Sequence, residues 1–309
     1  MDGVAIGQVR RFQRTVTQRI GALNDRFLAR DRALGQSRVL WEIGAEGSEV
    51  RALRTRLDLD SGYLSRLLRS LEADGLVVVD GGGSDGGGSD GGGSDGRVRT
   101  ARLTRAGLAE REELDRRSDA AAAAILEPLS GTQRDRLVAA MSEVERLLLA
   151  SMVRVDVLDP RHPGARHCLQ AYADELARRF EDGFDPARSI SATDAELRPP
   201  AGLLLVAELH AEPVGCVAVK LHRAAGSAEI KRMWVDPAVR GLGLGRRLLA
   251  EAEGQAVAHG VRTLRLETNR ALAEAVALYR ASGYREVAAF SEEPYAHHWF
   301  EKRLPGPAD

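Results

Sequence analysis

A glycine-rich segment in the second half of the chain has the composition of an anion-binding loop. It reads Arg240-Gly241-Leu242-Gly243-Leu244-Gly245 and lies between a segment that predicts a strand and one that predicts a helix. Backbone N–H groups at the start of a helix attract anions, and the helix dipole adds to this attraction. Glycines also let the backbone approach a pyrophosphate closely. The segment therefore predicts a site for a phosphate-bearing ligand.

Two common phosphate-binding loops do not fit this segment. A P-loop requires Gly-Lys followed by Ser or Thr, and that sequence is missing here. A dinucleotide-binding turn requires glycine at position 246, where the chain has Arg246. A glycine-rich loop without any ligand remains the alternative.

The loop resembles the Arg/Gln-x-x-Gly-x-Gly pyrophosphate loop of the GNAT acetyltransferases. Segments 229–237, 266–269, 275–284 and 294–301 resemble further motifs of that family, in the family's order. The resemblance implies acetyl-CoA as co-substrate, an amine as acceptor and no metal. It also implies a set of cofactor contacts, namely Met233, Val235, Arg240, Gly241, Gly243, Gly245, Arg246, Asn269 and Tyr279.

Acyl transfer from a thioester to an amine needs a neutral amine, a stabilised oxyanion and a proton for the departing thiolate. The resemblance assigns the proton to Tyr279, near the coenzyme sulfur, because a phenol has a pKa of about 10, near that of a thiol. A tyrosine that only packs in the core is the alternative. Asn269 contacts the coenzyme or a water in this interpretation, and a strand-end cap is its alternative.

Glu229 is the candidate general base, at a position where some members of the family carry a glutamate. Strand alternation puts Glu229 on the same face as residues 231, 233 and 235. A salt bridge is the alternative role for this carboxylate, and the amine could also lose its proton through ordered water. The same alternation predicts that Arg232 points away from the acceptor pocket, where it would otherwise meet a carboxylate.

Arginines in the first half of the chain suggest a second activity. Residues 64–77 resemble the recognition helix and first wing strand of MarR-type regulators, and residues 95–97 and 103–107 resemble the second wing strand and the helix after it. The resemblance implies binding to double-stranded DNA, since recognition helices meet base edges and phosphates. The expected contacts are Ser61, Tyr63, Ser65, Arg66, Arg69, Arg97 and Arg99. A solvated helix face is the alternative.

The elements of this half fit a winged helix-turn-helix. Apolar spacing predicts helices over 4–28 and 37–43, a third capped by Ser48, and a fourth capped by Asp60 or Ser61 that ends near Gly75. Strands follow at 76–79 and 97–103. Between them, residues 80–96 repeat Gly-Gly-Gly-Ser-Asp and are expected to be disordered, in place of a short wing turn. MarR-like proteins dimerise through additional helices, so a homodimer is expected.

From residue 153 onwards, short strands alternate with helices. Strands are predicted at 153–158, 203–209, 214–221, 228–235, 263–267, 284–288 and 297–303, and helices at 160–182, 244–259 and 270–282. This order predicts an α/β (α+β) GNAT fold with a mixed sheet. The fold class is therefore two domains, a helical winged helix-turn-helix over 1–151 and the GNAT fold over 152–304, with a tail at 305–309.

Composition and charge limit the functions and the cellular location that the chain could have. The chain has 309 residues, a formal net charge of −1 and two cysteines, so neither a global basic field nor structural zinc is indicated. No signal peptide and no apolar run of ~18 residues are evident, which favours a cytoplasmic protein without a membrane partner. The sequence predicts a transcriptional regulator that is also an N-acetyltransferase. The alternatives are a regulator whose acetyltransferase fold only senses a metabolite, and an enzyme whose first domain only dimerises.

Overall fold

A computed structural model describes residues 2–22, 28, 32–81, 98–190 and 192–305. Residues 82–97 lie outside these ranges. They include most of the segment predicted to be disordered (80–96) and the predicted DNA contact Arg97. The chain divides into two compact units, Met1–Ala139 and Ala140–Asp309. The division falls inside helix α6 (Gly131–Met152), whose end lies next to the predicted domain boundary.

Unit one contains short helices and a small sheet. The elements, in order, are α1 (Gly3–Arg19), α2 (Leu34–Ile43), β1 (Ser48–Glu49), α3 (Val50–Arg56), α4 (Ser61–Ala73), β2 (Val77–Asp80), β3 (Thr100–Leu103) and α5 (Arg105–Leu126). The strands form an antiparallel sheet in the order β1-β3-β2, with Val77 opposite Leu103. Four helices precede the β2-β3 hairpin, as the sequence predicts, whereas β1 between α2 and α3 adds a third strand that was not predicted.

Helix α4 forms as local rules require. The Asp60 side chain accepts a hydrogen bond from the backbone N–H of Tyr63 at 2.8 Å, which caps the first turn. Spacings of three and four residues put four leucines on one buried stripe, and these are Leu64, Leu67, Leu68 and Leu71. The chain leaves the helix through Gly75 at φ +68°, a left-handed conformation that glycine adopts without strain.

Two predictions for unit one are wrong. Helix α1 ends at Arg19 and not at residue 28, because Gly21 at φ +67° turns the chain out of the helix. Ser48 does not cap α3. It pairs with Ala101 in the sheet, and Glu49 is the residue before the helix.

Unit two is a mixed seven-stranded sheet in the order β4-β5-β6-β7-β8-β10-β9. The strands are β4 (Arg154–Val157), β5 (Gly202–Leu209), β6 (Glu212–His222), β7 (Ser227–Val235), β8 (Thr263–Thr268), β9 (Arg285–Val287) and β10 (His298–Arg303). The helices are α7 (Pro163–Arg179), α8 (Leu244–Ala258) and α9 (Ala273–Ala281). Among the strands that the structure describes, only β7 and β8 pair in parallel, so the predicted mixed sheet is confirmed.

Each face of this sheet has its own apolar core. One face carries Leu205, Val217 and Leu266 against α8 and α9. The opposite face carries Val206 and Trp234 against α7. Strand alternation assigns the side chains to the two faces, so both faces are covered by helices, as buried strands require.

Candidate functional site

Strands β7 and β8 separate in the middle of the sheet. Their parallel pairing covers only Ser227–Glu229 opposite Thr263–Arg265. Within the described residues, the two strands have no paired positions beyond these. The backbone at the end of β7 therefore faces an opening in the sheet and not a neighbouring strand.

A β-bulge at Arg232 accompanies this opening. Arg232 has φ +51°, and the register between β6 and β7 shifts between Cys216 and Ala218. A bulge adds one residue to a strand, so the side chains after it change faces. Ile230 packs in the core beside α8 and α9, whereas Trp234, an even number of residues later, packs against α7.

The bulge corrects two predictions about strand β7. Glu229 does not share a face with Met233, because Met233 packs on the side of the α8 core. Arg232 does not point away from the pocket but lines a cavity with Met233. Simple alternation fails at this strand because it assumes an uninterrupted pleat.

The glycine loop ends at the first turn of α8. Gly241 and Gly243 have φ +87° and +77°, left-handed conformations that favour glycine. Gly243 is the residue before α8 and supplies no side-chain cap to the helix. A Cβ at either glycine would meet no atom within 4 Å, so both face open space. The helix therefore presents backbone N–H groups to a cavity, as an anion site requires.

A cavity of about 520 Å³ adjoins this loop. The end of β7 and the helices α7, α8 and α9 surround it. It collects eight of the nine residues predicted to contact the cofactor, namely Met233, Val235, Arg240, Gly241, Gly243, Gly245, Arg246 and Tyr279. The exception is Asn269, which lines the neighbouring cavity.

A carboxylate on α7, Glu175, joins the walls of this cavity. One oxygen, Oε2, accepts hydrogen bonds from Arg240 Nη2 at 2.5 Å and Trp234 Nε1 at 2.9 Å. The other oxygen, Oε1, accepts from Arg179 Nη1 at 3.2 Å. Burial by itself would raise the pKa of Glu175, but these donors outweigh it and hold the pKa below its usual value. Glu175 is therefore ionised and fixes the first residue of the glycine loop.

Arg179 extends this network to α9. Its guanidinium forms an ion pair with Glu274 in the first turn of α9 and donates to the carbonyl oxygen of Ala271 at 2.7 Å. The hydrogen bonds from Arg179 lower the pKa of Glu274 to about 2. One arginine thus connects α7 to α9 across the wall of the cavity.

A second, smaller cavity of about 90 Å³ adjoins the first. The two cavities share wall residues, which are Tyr172, Leu176, Met233, Leu272, Ala275 and Tyr279. Lys231, Arg232, Glu267 and Glu293 supply charged groups to the smaller cavity. A ligand in the larger cavity and one in the smaller cavity would therefore meet at the shared wall.

Tyr279 lies in this shared wall. Its hydroxyl is 3.7 Å from Met233 Sδ, and its ring packs against Tyr284 and Phe300 with centroids 6.0 Å apart. Burial raises the pKa of Tyr279, so the phenol stays protonated at neutral pH. The side chain is thus part of both the core and the wall that the two cavities share.

Glu229, the predicted base, lines neither cavity. Its carboxylate forms an ion pair with Lys231 Nζ and a hydrogen bond with His222 Nε2, each at 3.0 Å. Burial would raise the pKa of Glu229, but Lys231 and His222 outweigh it and hold the pKa below its usual value. These contacts match the salt-bridge alternative for this residue.

Glu267 occupies the position that Glu229 was expected to have. It lines the smaller cavity, and its side chain is 7% exposed. One carboxylate oxygen pairs with Lys231, and the other is buried with no hydrogen-bond partner among the described atoms. Burial raises the pKa of Glu267 in spite of the opposing charge of Lys231. A carboxylate with a raised pKa and an available lone pair can accept a proton.

The Asn269 side chain is held by the protein backbone. Its Nδ2 donates to the carbonyl oxygen of Tyr295 at 2.7 Å, and its Oδ1 accepts from the N–H of Ala271 at 2.9 Å. The residue is 8% exposed. These bonds match the strand-end cap and shape the loop beside the smaller cavity.

Most of the residues expected to contact DNA are exposed in unit one, and Arg97 lies outside the described residues. Helix α4 exposes Tyr63, Arg66 and Arg69, with Ser61 at its start and Ser65 half-buried. The Arg66 guanidinium lies 5.8 Å from the centre of the Tyr63 ring. Arg99 is exposed beside β3.

Sequence reasoning missed several residues of the cavities. Tyr172, Glu175, Leu176 and Arg179 occur three and four residues apart, and this spacing places them on one face of α7. This spacing indicates a shared helix face in the sequence, but it does not show what that face contacts. Glu267 lies two residues before Asn269, in a segment where only the asparagine was predicted to belong to the site.

No helix among the described residues is long and apolar enough to cross a membrane. No group of three or more His, Cys, Asp or Glu side chains in that part of the chain is arranged to hold a metal ion.

Comparison with known proteins gives consistent matches for the second unit. The model of the GNAT acetyltransferase family matches residues 169–284. An IAA acetyltransferase from Azospirillum brasilense is 39% identical over 123 residues, which span 40% of this chain and 78% of that relative. The human N-acetylaspartate synthetase is 29% identical over 146 residues, which span 46% of this chain and 45% of that relative.

A solved structure also resembles about half of the chain. It is a GNAT-family acetyltransferase from Staphylococcus aureus, 17% identical, with a TM-score of 0.42, covering 49% of this chain and all of that one.

Proposed function

Because this chain belongs to the GNAT family of acetyltransferases, we propose that the two adjoining cavities are its coenzyme and acceptor sites. The family transfers an acetyl group from acetyl-CoA to an amine. The observation that carries the assignment is the shared wall at Met233 and Tyr279. A thioester at the end of the larger cavity would reach an amine in the smaller one only there. Substrate positioning of this kind supplies a large part of the rate enhancement.

The larger cavity suits the coenzyme. Backbone N–H groups at the start of α8, with Arg246, bind the pyrophosphate, since a helix N-terminus and a guanidinium both favour phosphate oxygens. Arg240 adds a second cation, and Glu175 holds it at 2.5 Å. The unpaired edge of β7 near Met233 and Val235 offers N–H groups to the pantetheine amides and to the thioester oxygen.

Acetyl-CoA supplies the activated acetyl group, and side chains of the shared wall manage the protons. The Glu267 carboxylate takes a proton from the acceptor ammonium, and the free amine attacks the thioester carbonyl. As the carbon–sulfur bond breaks, the Tyr279 hydroxyl donates its proton to the departing thiolate, and the nitrogen loses its second proton as the amide forms, which restores the phenol. Positioned proton transfers of this kind contribute about 10² to 10⁴ in rate each.

A second function, binding to double-stranded DNA, is favoured by unit one. Helix α4 exposes Arg66 and Arg69 on the side opposite its buried leucines, and the β2-β3 hairpin lies beside it. This arrangement suits a MarR-type winged helix whose recognition helix enters the major groove. The complete chain would then be a cytoplasmic regulator that also carries an acetyltransferase. A regulator whose GNAT unit only senses acetyl-CoA is the alternative.

A homodimer accompanies this proposal. Helix α1 has no buried residue, and Val4, Val9 and Phe12 are 74%, 55% and 44% exposed. An apolar helix face of this kind suits a second copy of the chain, which would place two α4 helices on successive turns of DNA. Sedimentation of the full chain at micromolar concentration tests the dimer, and a monomer there would contradict it.

The assay for the enzyme uses the purified full chain. Incubation with acetyl-CoA and a panel of primary amines, amino acids and aminoglycosides should release free thiol and yield an acetylated product. Thiol release without any acetylated product would indicate hydrolysis alone. Binding of acetyl-CoA without thiol release would favour the sensor.

A further inference from the structure

Arg232 gives the smaller cavity a cation that an uninterrupted strand would have directed elsewhere. We infer that the acceptor is a primary amine that carries a carboxylate, as an α-amino acid does, with Arg232 binding the carboxylate and Glu267 the ammonium. The inference rests on the proposed acetyl transfer and names its acceptor.

The bulge holds Arg232 in a conformation that costs free energy. A φ of +51° is uncommon for a residue other than glycine, and such outliers persist where the surrounding structure enforces them. The guanidinium is also fixed at the wall, since its Nη2 donates to the Ala192 carbonyl oxygen at 2.6 Å. A planar guanidinium matches the geometry of a carboxylate, so a fixed arginine is a selective partner for one.

The Glu267 carboxylate has one oxygen that an acceptor ammonium could contact. Glu267 is 7% exposed, and its Oε2 has no hydrogen-bond partner among the described atoms. An unsatisfied buried carboxylate oxygen is costly unless a ligand supplies a donor. An acceptor ammonium would supply that donor in the orientation needed for removal of its proton.

Lys231 and Glu293, the other two charged groups of the cavity, are also held by the protein. Lys231 forms ion pairs with Glu229 and Glu267. Glu293 accepts hydrogen bonds from the Ser189 hydroxyl and the Ile190 backbone N–H, at 2.9 and 2.7 Å. A zwitterion places one positive and one negative group in the cavity and therefore matches a lining of two cations and two anions.

The walls of the cavity suit an apolar amino acid. Phe180, Phe184 and Tyr295 line the cavity with ring centroids 5.0 to 5.9 Å apart. An apolar side chain would pack against these rings.

Aromatic rings beside carboxylates can also enclose an organic cation without a carboxylate. Matched acceptors separate the two possibilities. The full chain is assayed for thiol release and acetylated product with L-phenylalanine against phenethylamine, and with L-leucine against isoamylamine. Each pair differs by the carboxylate alone. The amino acid of each pair should have a kcat/KM at least tenfold higher.

Variants of Arg232 test whether this residue causes the preference for acceptors that carry a carboxylate. R232Q should lower kcat/KM for the amino acids ten- to a hundredfold and leave the values for the decarboxylated amines within twofold. R188Q, at an exposed arginine near the same cavity, is the matched control and should change neither. An unchanged Kd of R232Q for acetyl-CoA shows that the fold is intact.

The outcomes are distinguishable. Equal rates for both members of each pair, or turnover of the decarboxylated amines alone, overturn the carboxylate assignment and leave acetyl transfer intact. A loss with R232Q that is the same for both members also overturns it. No acetylated product from any acceptor overturns the proposed function and this inference with it.

Discussion

The Glu175 carboxylate lies 2.5 Å from the Arg240 guanidinium and links a helix beside the acceptor cavity to the first residue of the glycine loop. The same carboxylate accepts from Trp234 at the end of β7. A charged group with three protein donors is well satisfied, and loss of its charge leaves Arg240 and Arg179 without a buried counter-ion. The loop and the acceptor wall are therefore coupled through one residue.

Glu175→Gln should weaken binding of acetyl-CoA about tenfold, equivalent to about 1.4 kcal/mol, because Arg240 loses its fixed position. Isothermal titration calorimetry with coenzyme A measures the change. Glu181→Gln, at an exposed residue two positions after α7, is the control. Equal affinities for wild type and Glu175→Gln would show that the ion pair does not position Arg240.

Tyr279→Phe should lower kcat by about 10² or more while the Kd for acetyl-CoA stays within twofold, since only the proton donor is removed. Stopped-flow detection of thiol release measures kcat. Tyr284→Phe is the control, because it removes the hydroxyl of a neighbouring ring that packs against Tyr279. This variant should retain turnover. Equal losses of turnover and affinity in Tyr279→Phe would exclude its role as acid.

Glu267→Gln should abolish most turnover, whereas Glu229→Gln should lower it much less. Burial raises the pKa of Glu267, so the base becomes protonated, and inactive, at a higher pH than an ordinary glutamate. Accordingly, kcat/KM should fall as the pH is lowered through this raised pKa. The low pKa of Glu229 keeps that carboxylate ionised throughout the same range.

Steady-state kinetics of both variants from pH 5 to pH 9 test this assignment. Loss of the acidic limb of the profile in Glu229→Gln, with a normal limb in Glu267→Gln, would return the role of base to Glu229.

Arg66→Ala should weaken binding of the full chain to DNA from its own promoter, since α4 exposes this guanidinium. Fluorescence anisotropy across a range of salt concentrations should give a linear plot of log K against log salt, with a slope reduced by about one unit in the variant if Arg66 contacts a phosphate. Arg38→Ala, at an exposed arginine on α2, is the control. Absence of binding, or binding insensitive to salt, would leave unit one without a role on DNA.

Much of the fold follows from local rules. The Asp60 cap, the leucine stripe of α4 and the left-handed Gly75 are set by neighbours within a few residues, so pattern reasoning predicts them. The conformation of the glycine loop before α8 is also set by residues close in sequence. Its predicted cofactor residues lie along one cavity because a strand, a loop and a helix follow directly in sequence.

The acceptor side was less predictable because it depends on two non-local features. The bulge at Arg232 has no local sequence signature, yet it reverses which side chains of β7 reach the cavity. The Glu175–Arg240 pair joins residues 65 positions apart, and periodicity in α7 cannot identify that partner. The choice between two candidate bases is non-local as well, since Glu229 and Glu267 lie on adjacent strands and only the opening between them decides which one lines the smaller cavity.

The most direct measurement is mass spectrometry of the reaction of the full chain with acetyl-CoA and L-phenylalanine, in parallel with release of free thiol. The account predicts one acetyl group added to the amine for each thiol released, at a rate that Tyr279→Phe and Glu267→Gln both reduce about a hundredfold or more. Thiol release that is independent of any amine, or an acetylated product formed by both variants as fast as by the wild type, would contradict an acetyl transfer at the shared wall of the two cavities.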